Sequence, residues 1–253
     1  MKYYEQLLDL GCFSRNDILT ITRNYNTAGT LLKSYMKKGY IQKIKRNLYV
    51  AINPADQQPV VSKYYIAGKL TQSAYVSHHA AFEYYGCANQ VSYQVEVSTE
   101  TSFNAFTFNG NNFAYFASRI KDGVVLQPDG VRITDIERTL IDNINDFEKI
   151  AGLEELLRCI ELIPSVNERK LLSYLKSYNK QILFQKTGYI LQHFKDMFRI
   201  SEAFFNECSS RIGNSTRYLA SNIDGNYNSM WQLVVPKDLM KMISKGGDAD
   251  ADI

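Results

Sequence analysis

Cysteine is scarce in this 253-residue chain, and Cys12, Cys87, Cys159 and Cys208 never stand as a CxxC pair. That spacing excludes a zinc ribbon or a dithiol redox motif, and isolated cysteines among apolar neighbours read as reduced core thiols. Proline occurs five times, histidine three times and tryptophan once. With so few histidines, a metal centre has little to draw on. Nowhere do about eighteen apolar residues run without a charge, so no membrane span is expected. Met1-Lys2-Tyr3-Tyr4-Glu5 lacks the apolar stretch of a secretory signal, and the chain is expected to be cytoplasmic. No GxGxxG, Walker or GxSxG motif occurs, and no cofactor is expected.

What is present begins with an uneven charge. Residues 1–53 hold six Lys and three Arg against Glu5, Asp9 and Asp17, a net +6. Residues 54–253 hold 20 basic and 23 acidic side chains, a net −3. A basic head on a mildly acidic body points to a polyanionic partner for the head. The thirteen Phe and eighteen Tyr are core formers before they are a ligand cage.

Periodicity in the head predicts a helix over Tyr3 to Leu10 stopped by Gly11. A second, Arg15 to Thr22, is capped by Ser14, and a third, capped by Thr27, runs to Lys38. Tyr40 to Ile44 and Leu48 to Ala51 alternate as two strands around a turn at Lys45-Arg46-Asn47. Three helices and a hairpin in this order predict a winged helix-turn-helix. Residues 54–59, with two prolines, read as a linker. Residues 60–245 read as an α+β domain with a mixed β-sheet followed by helices, and 246–253 as a disordered acidic tail.

In the body, helices are expected at Lys63 to Leu70 and at Ser77 to Tyr85, the latter capped by Ser77. Strands are expected at Val91 to Ser98, Phe103 to Phe108, Phe113 to Ala117 and Val131 to Thr134. Capping-box spacing at Thr134-Asp135-Ile136-Glu137 and Ser165-Val166-Asn167-Glu168 opens helices over 135–149 and 166–178. Further helices are expected at 152–163, 187–199 and 202–212, then a hairpin of Tyr218 to Ala220 with Met230 to Val235.

The third helix has the form of a DNA-reading element. Leu32, Tyr35 and Met36 form its apolar side, with Gly29, Thr30, Lys33 and Lys37 on the other. A helix nearly as wide as the major groove enters it best with small or polar residues at its N-terminal end. Thr27, Ala28, Gly29 and Thr30 meet that need, and Lys33, Ser34, Lys37 and Lys38 follow where phosphates lie. Lys43, Lys45, Arg46 and Asn47 load the hairpin tip, and Arg15 and Arg23 bracket the second helix. Any one of these lysines could simply solvate a helix face; the whole set points to double-stranded DNA.

Three stretches carry a family resemblance. Leu31 to Tyr49 (LLKSYMKKGYIQKIKRNLY) resembles the recognition helix and wing of the AbiEi-type antitoxins, transcriptional regulators of abortive-infection toxin–antitoxin pairs. That family's Gly-Arg-Gly-Leu-Tyr-like turn stands here as Lys45-Arg46-Asn47-Leu48-Tyr49, with both glycines lost. Ser77-His78-His79-Ala80-Ala81-Phe82-Glu83-Tyr84-Tyr85-Gly86 is similar to the family's Ser-His helix, and Val131 to Asp142 is similar to its VRVTDxERTLxD motif. A weaker echo is Lys186-Thr187-Gly188-Tyr189-Ile190-Leu191. The resemblance implies a non-enzymatic repressor that binds inverted repeats in its own promoter, an arrangement open to a dimer on DNA. It also implies an antitoxin that neutralises a nucleotidyltransferase-like toxin encoded nearby. The antitoxin-domain motif residues are then Ser77, His78, His79, Arg132, Thr134, Asp135, Glu137, Arg138 and Asp142.

Each of these has a structural alternative. Asp135 and Glu137 suit the first turn of a helix, and Arg138 and Asp142 are i, i+4 partners. His78, His79 and Glu83 supply too few ligands for a metal, and none is expected. Glu96 with Lys121, Asp135 and Glu137 permits a rival reading as a DNA-targeted nuclease or transferase, which needs clustered carboxylates. A third reading is a repressor whose body binds a small effector.

Overall fold

The computed structural model describes residues 3–213, 215–221 and 224–244. Residue 245 and the expected acidic tail, 246–253, lie outside them. Two units divide the described chain, one from residues 3–76, 93–116 and 126–132, the other from 77–92, 117–125 and the rest from 133. Each mixes helices with sheet, so the fold class is α+β.

The first unit opens with α1 (Tyr4–Leu10), followed by a short strand unforeseen in the sequence, β1 (Cys12–Phe13). The Ser14 side chain caps α2 (Arg15–Thr22), and Asp17 completes a capping box. Helix α3 (Tyr25–Lys37) starts earlier than expected because Asn24, not Thr27, is the cap. The Asn24 backbone is extended and its side chain accepts the Thr27 amide at 3.0 Å. Strands β2 (Ile41–Lys45) and β3 (Leu48–Ala51) then meet at a tight turn. Asn47 holds that turn's left-handed position, φ 59, in place of the absent glycine. The sheet order is β1-β3-β2, with Cys12 opposite Val50 and Phe13 opposite Tyr49.

Leu7, Phe13, Ile18, Ala28, Leu31, Leu32, Ile41 and Ala51 close the core of this head. Met36, read as core-facing, is 38% exposed, because the buried stripe of α3 runs through Ala28, Leu31 and Leu32 instead. The expected linker is a hydrogen-bonded turn inside the first unit. The Asn53 side chain accepts the Ala55 amide, Asp56 accepts the Gln58 amide, and Ile52 bridges to Pro59.

The rest of the first unit comprises α4 (Lys63–Gly68), β4 (Tyr75–Val76), β5 (Gln94–Thr99), β6 (Phe106–Phe108) and β7 (Asn111–Ala117). Their strand order is β6-β7-β5-β4. Strand β7 starts two residues before the expected Phe113, since Asn109 and Gly110, φ 46 and 75, form the two-residue turn that Asn-Gly favours. Strands β8 (Val124–Leu126) and β9 (Arg132–Thr134) straddle the division between units.

The second unit contains α5 (His78–Tyr84), α6 (Ile136–Asp146) with a 3-10 turn over Phe147–Lys149, α7 (Gly152–Glu161) and α8 (Glu168–Tyr178). Helices α9 (Gln181–Gln192), α10 (Lys195–Phe198) and α11 (Glu202–Ser210) follow, the first two in place of one expected over 187–199. Neither foreseen capping box forms. Asp135 and Asn167 are the caps, the Thr134 hydroxyl pairs with that of Thr139, and Glu168 accepts from Ser201. The late hairpin is a three-stranded sheet, with β10 (Arg217–Tyr218) parallel and β11 (Gly225–Asn228) antiparallel to β12 (Leu233–Pro236); α12 (Lys241–Ser244) ends the described chain. All four cysteines are free and buried; burial pushes the Cys12 and Cys208 thiols up to about 12.

Gly188 has a packing reason. A Cβ there would lie 2.1 Å from the indole of Trp231, which is fully buried and donates its Nε1–H to Gln192 at 2.7 Å. Gly188→Ala therefore overpacks this contact, with an expected cost of about 1–3 kcal/mol. Trp231 is the only tryptophan, so its emission spectrum reports the change directly alongside the urea midpoint. An unaltered spectrum and midpoint would contradict the packing.

Candidate nucleic-acid interface and the buried motif network

Helix α3 and the β2–β3 hairpin carry most of the basic residues singled out in the sequence. Thr27, Thr30, Lys33, Lys37, Lys38, Lys43, Arg46 and Asn47 are exposed, while Gly29, Ser34 and Lys45 are half-buried. Lys45 lies over the Phe103 ring, 5.4 Å from its centroid, and burial lowers its pKa. Asn47 does more than shape the turn. Its Oδ1 accepts the Arg15 amide at 3.1 Å, tying the hairpin tip to the start of α2. Arg23 ends α2 with φ 54 and lines a groove with Asp9 and Asp17.

Among the described residues, none of Arg15, Arg23, Lys33, Lys37, Lys38, Lys43, Lys45 and Arg46 forms an ion pair. In the second unit, by contrast, Arg138, Lys149, Arg158, Lys170, Lys176 and Arg211 are all paired with carboxylates.

Tyr25 was missed at the sequence level. Its exposed ring carries the Arg15 guanidinium, 4.3 Å from the centroid. An exposed aromatic in the first turn of a helix, ten residues after an arginine, carries no periodic signal. Gly29 stands in the same neighbourhood, its would-be Cβ 3.5 Å from Arg15 Nη2, an ordinary contact distance. Its φ is not in the left-handed region, so neither backbone nor packing requires glycine there. A glycine inside a helix nevertheless costs about 0.5–1 kcal/mol relative to alanine.

The motif residues of the body are largely buried. Ser77, His78, His79, Thr134, Glu137, Arg138 and Asp142 are all nearly or fully inaccessible. Ser77 does not cap α5; its hydroxyl pairs with His78 Nδ1 at 2.7 Å, and His78 itself adopts φ 54. His78 Nε2 lies 3.7 Å from Asp146. Burial alone would raise the Asp146 carboxyl, but hydrogen bonds and charge from His78, Lys149 and Arg119 outweigh it and hold it well below the usual range. His79 pairs with Glu155 at 3.0 Å rather than with Glu83. Glu155 Oε1 also accepts from the Asn89 and Gln90 amides and the Cys159 thiol. Burial opposes ionisation of Glu155, and these donors together reverse it.

Arg138 organises the Val131 to Asp142 stretch. Its Nε donates to Asp142 at 2.7 Å, Nη1 to the Ile120 and Asp122 carbonyls at 3.2 and 2.6 Å, and Nη2 to Tyr178 Oη at 3.2 Å. Gly123, φ 77, lets that loop come close, since a Cβ there would lie 2.8 Å from both Arg138 and Tyr174. Asp135 accepts the Arg138 amide, the Tyr174 hydroxyl and Lys170 Nζ, while Glu137 accepts the Asn167 amide and Lys170 Nζ. Arg132 donates to the Gln72 carbonyl at 2.7 Å. These bonds hold backbone and helix ends in place, which is structural work.

The carboxylates of the nuclease reading are occupied elsewhere. Gln94 donates to Glu96, which is buried in β5, and Asp135 and Glu137 serve the starts of α6 and α8. Among the described residues, the group with metal-ligand spacing is His79, Glu155 and Cys159, and it includes none of those three. Burial raises the Cys159 thiol strongly, and the protonated thiol donates to Glu155.

Arg138→Met would strand the buried Asp142 carboxylate without its cation. The expected loss is about 3–5 kcal/mol in urea unfolding. A loss below about 1 kcal/mol, the range of a surface pair, would show that the network is not holding the unit.

No family model and no curated protein matches this chain. A solved structure, that of the RV2827C protein from Mycobacterium tuberculosis, is similar to it with a TM-score of 0.66 and 11% sequence identity, over 97% of this chain and 94% of that one. At that identity the likeness is one of fold alone.

Proposed function

We propose that the head is a winged helix-turn-helix that binds double-stranded DNA, with α3 in the major groove and the β2–β3 turn as the wing. The observation that carries this reading is the set of basic side chains on α3 and the hairpin, none of which has a carboxylate partner among the described residues. Unpaired like charges on one element repel and are tolerated where a polyanion neutralises them. The succession of α1, β1, α2, α3 and a hairpin paired back onto β1 supports it.

The regulated promoter and the second role rest on the AbiEi-type resemblance. On that basis the chain represses its own operon by binding inverted repeats and neutralises a nucleotidyltransferase-like toxin without catalysis. The burial of Ser77, His79, Thr134, Glu137, Arg138 and Asp142 limits how the motif can serve neutralisation. It shapes the second unit, and the toxin-facing surface is made by other residues.

The two roles should separate by surface substitution. A chain with Lys33, Lys37 and Arg46 all replaced by alanine should bind its promoter about a hundredfold more weakly at 0.1 M salt, for three lost phosphate contacts. Expressed from a foreign promoter beside the toxin gene, it should still restore growth. Undiminished promoter binding would overturn the DNA-binding reading; failure of the unaltered chain to restore growth would overturn the antitoxin reading.

A further inference from the structure

Arg15 is a cation without an anion. Its guanidinium carbon lies over the Tyr25 ring, 4.3 Å from the centroid, and among the described residues its buried Nε–H finds no acceptor and the group forms no ion pair. The ring removes water from one face and returns only a weak cation–π attraction. Yet the residue is held at both its backbone and its head. Asn47 fixes its backbone amide to the hairpin turn, and Tyr25, itself 63% exposed, fixes its head. A planar guanidinium with no acceptor among the described residues suits a phosphodiester, whose oxygens accept its N–H groups.

Gly29 supplies the second observation. It weakens α3, although neither its backbone angles nor its neighbours need it, and Arg15 Nη2 is the nearest atom to its missing side chain. A methyl group would fit within the protein itself. The helix thus carries the cost of a glycine beside Arg15 with no return from within the described residues.

We propose that Arg15 holds a phosphate of the duplex backbone, that Tyr25 is the positioning residue for it, and that Gly29 is kept bare so that the same stretch of backbone can approach α3. The inference deepens the DNA-binding reading above and rests on it. A phosphate contact is blind to sequence, so its loss weakens every duplex alike.

The test is affinity of the full chain for its promoter duplex and for a scrambled duplex of equal length across a salt series. Arg15→Gln should bind both about tenfold more weakly at 0.1 M salt and flatten the slope of log K against log salt by about one unit. Tyr25→Ala should reproduce that pattern and Tyr25→Phe should restore binding. Gly29→Ala should melt at a higher temperature than the unaltered chain and still bind both duplexes several-fold more weakly. An unchanged slope in Arg15→Gln overturns the phosphate contact, as does a loss confined to one sequence, which would mark a base reader. Full binding by Gly29→Ala overturns the close approach. If the unaltered chain binds neither duplex at low salt, the DNA-binding reading itself fails, and this inference with it.

Discussion

One buried guanidinium sets the terms for the second unit. Arg138 is 1% exposed, and a charge taken that far from water must be matched at every donor or it destabilises the fold by several kcal/mol. The match draws in a carboxylate on its own helix, two carbonyls of the 120–122 loop and a tyrosine hydroxyl from α8. Those elements cannot drift without exposing or orphaning the charge. Gly123, the Asp135 cap and Lys170 belong to the same arrangement, since each brings a neighbouring segment within reach of α6. The Val131 to Asp142 stretch is in this sense a wiring pattern for a core.

The first unit treats charge in the opposite way. The basic side chains on α3 and the hairpin have no carboxylate partner among the described residues, and Asn47 ties that hairpin to α2 through the Arg15 amide. Where the second unit sets many of its arginines and lysines against carboxylates, the head leaves those of α3 and the hairpin available. The contrast within one chain is why the proposed function centres on the head, and why the buried motif residues are assigned to architecture.

The elements with strong local signals were legible in the sequence: α1 with its glycine stop, the Ser14 cap, the two hairpin strands, and most helices of the body, the one expected over 187–199 excepted. Caps were less so. Asn24 and Thr27, or Thr134 and Asp135, are both of capping type, and only the extended backbone at Asn24 and Asp135 decides between them. Strand β1 escaped notice because two residues make no period; it exists through its pairing with β3. Tertiary contacts were illegible for the same reason. Nothing local to His79 points to Glu155, and nothing local to Tyr25 points to Arg15. In the segment read as a linker, side chains of Asn53 and Asp56 make an ordered turn of a proline-bounded stretch.

The central claim is that the unpaired charges of the head meet phosphates, and salt tests it most directly. Fluorescence anisotropy with the promoter duplex, from about 50 to 300 mM salt, should give a log–log slope of about −4 to −6, matching five or six phosphate contacts. A slope near zero, or no binding at the lowest salt, would contradict it.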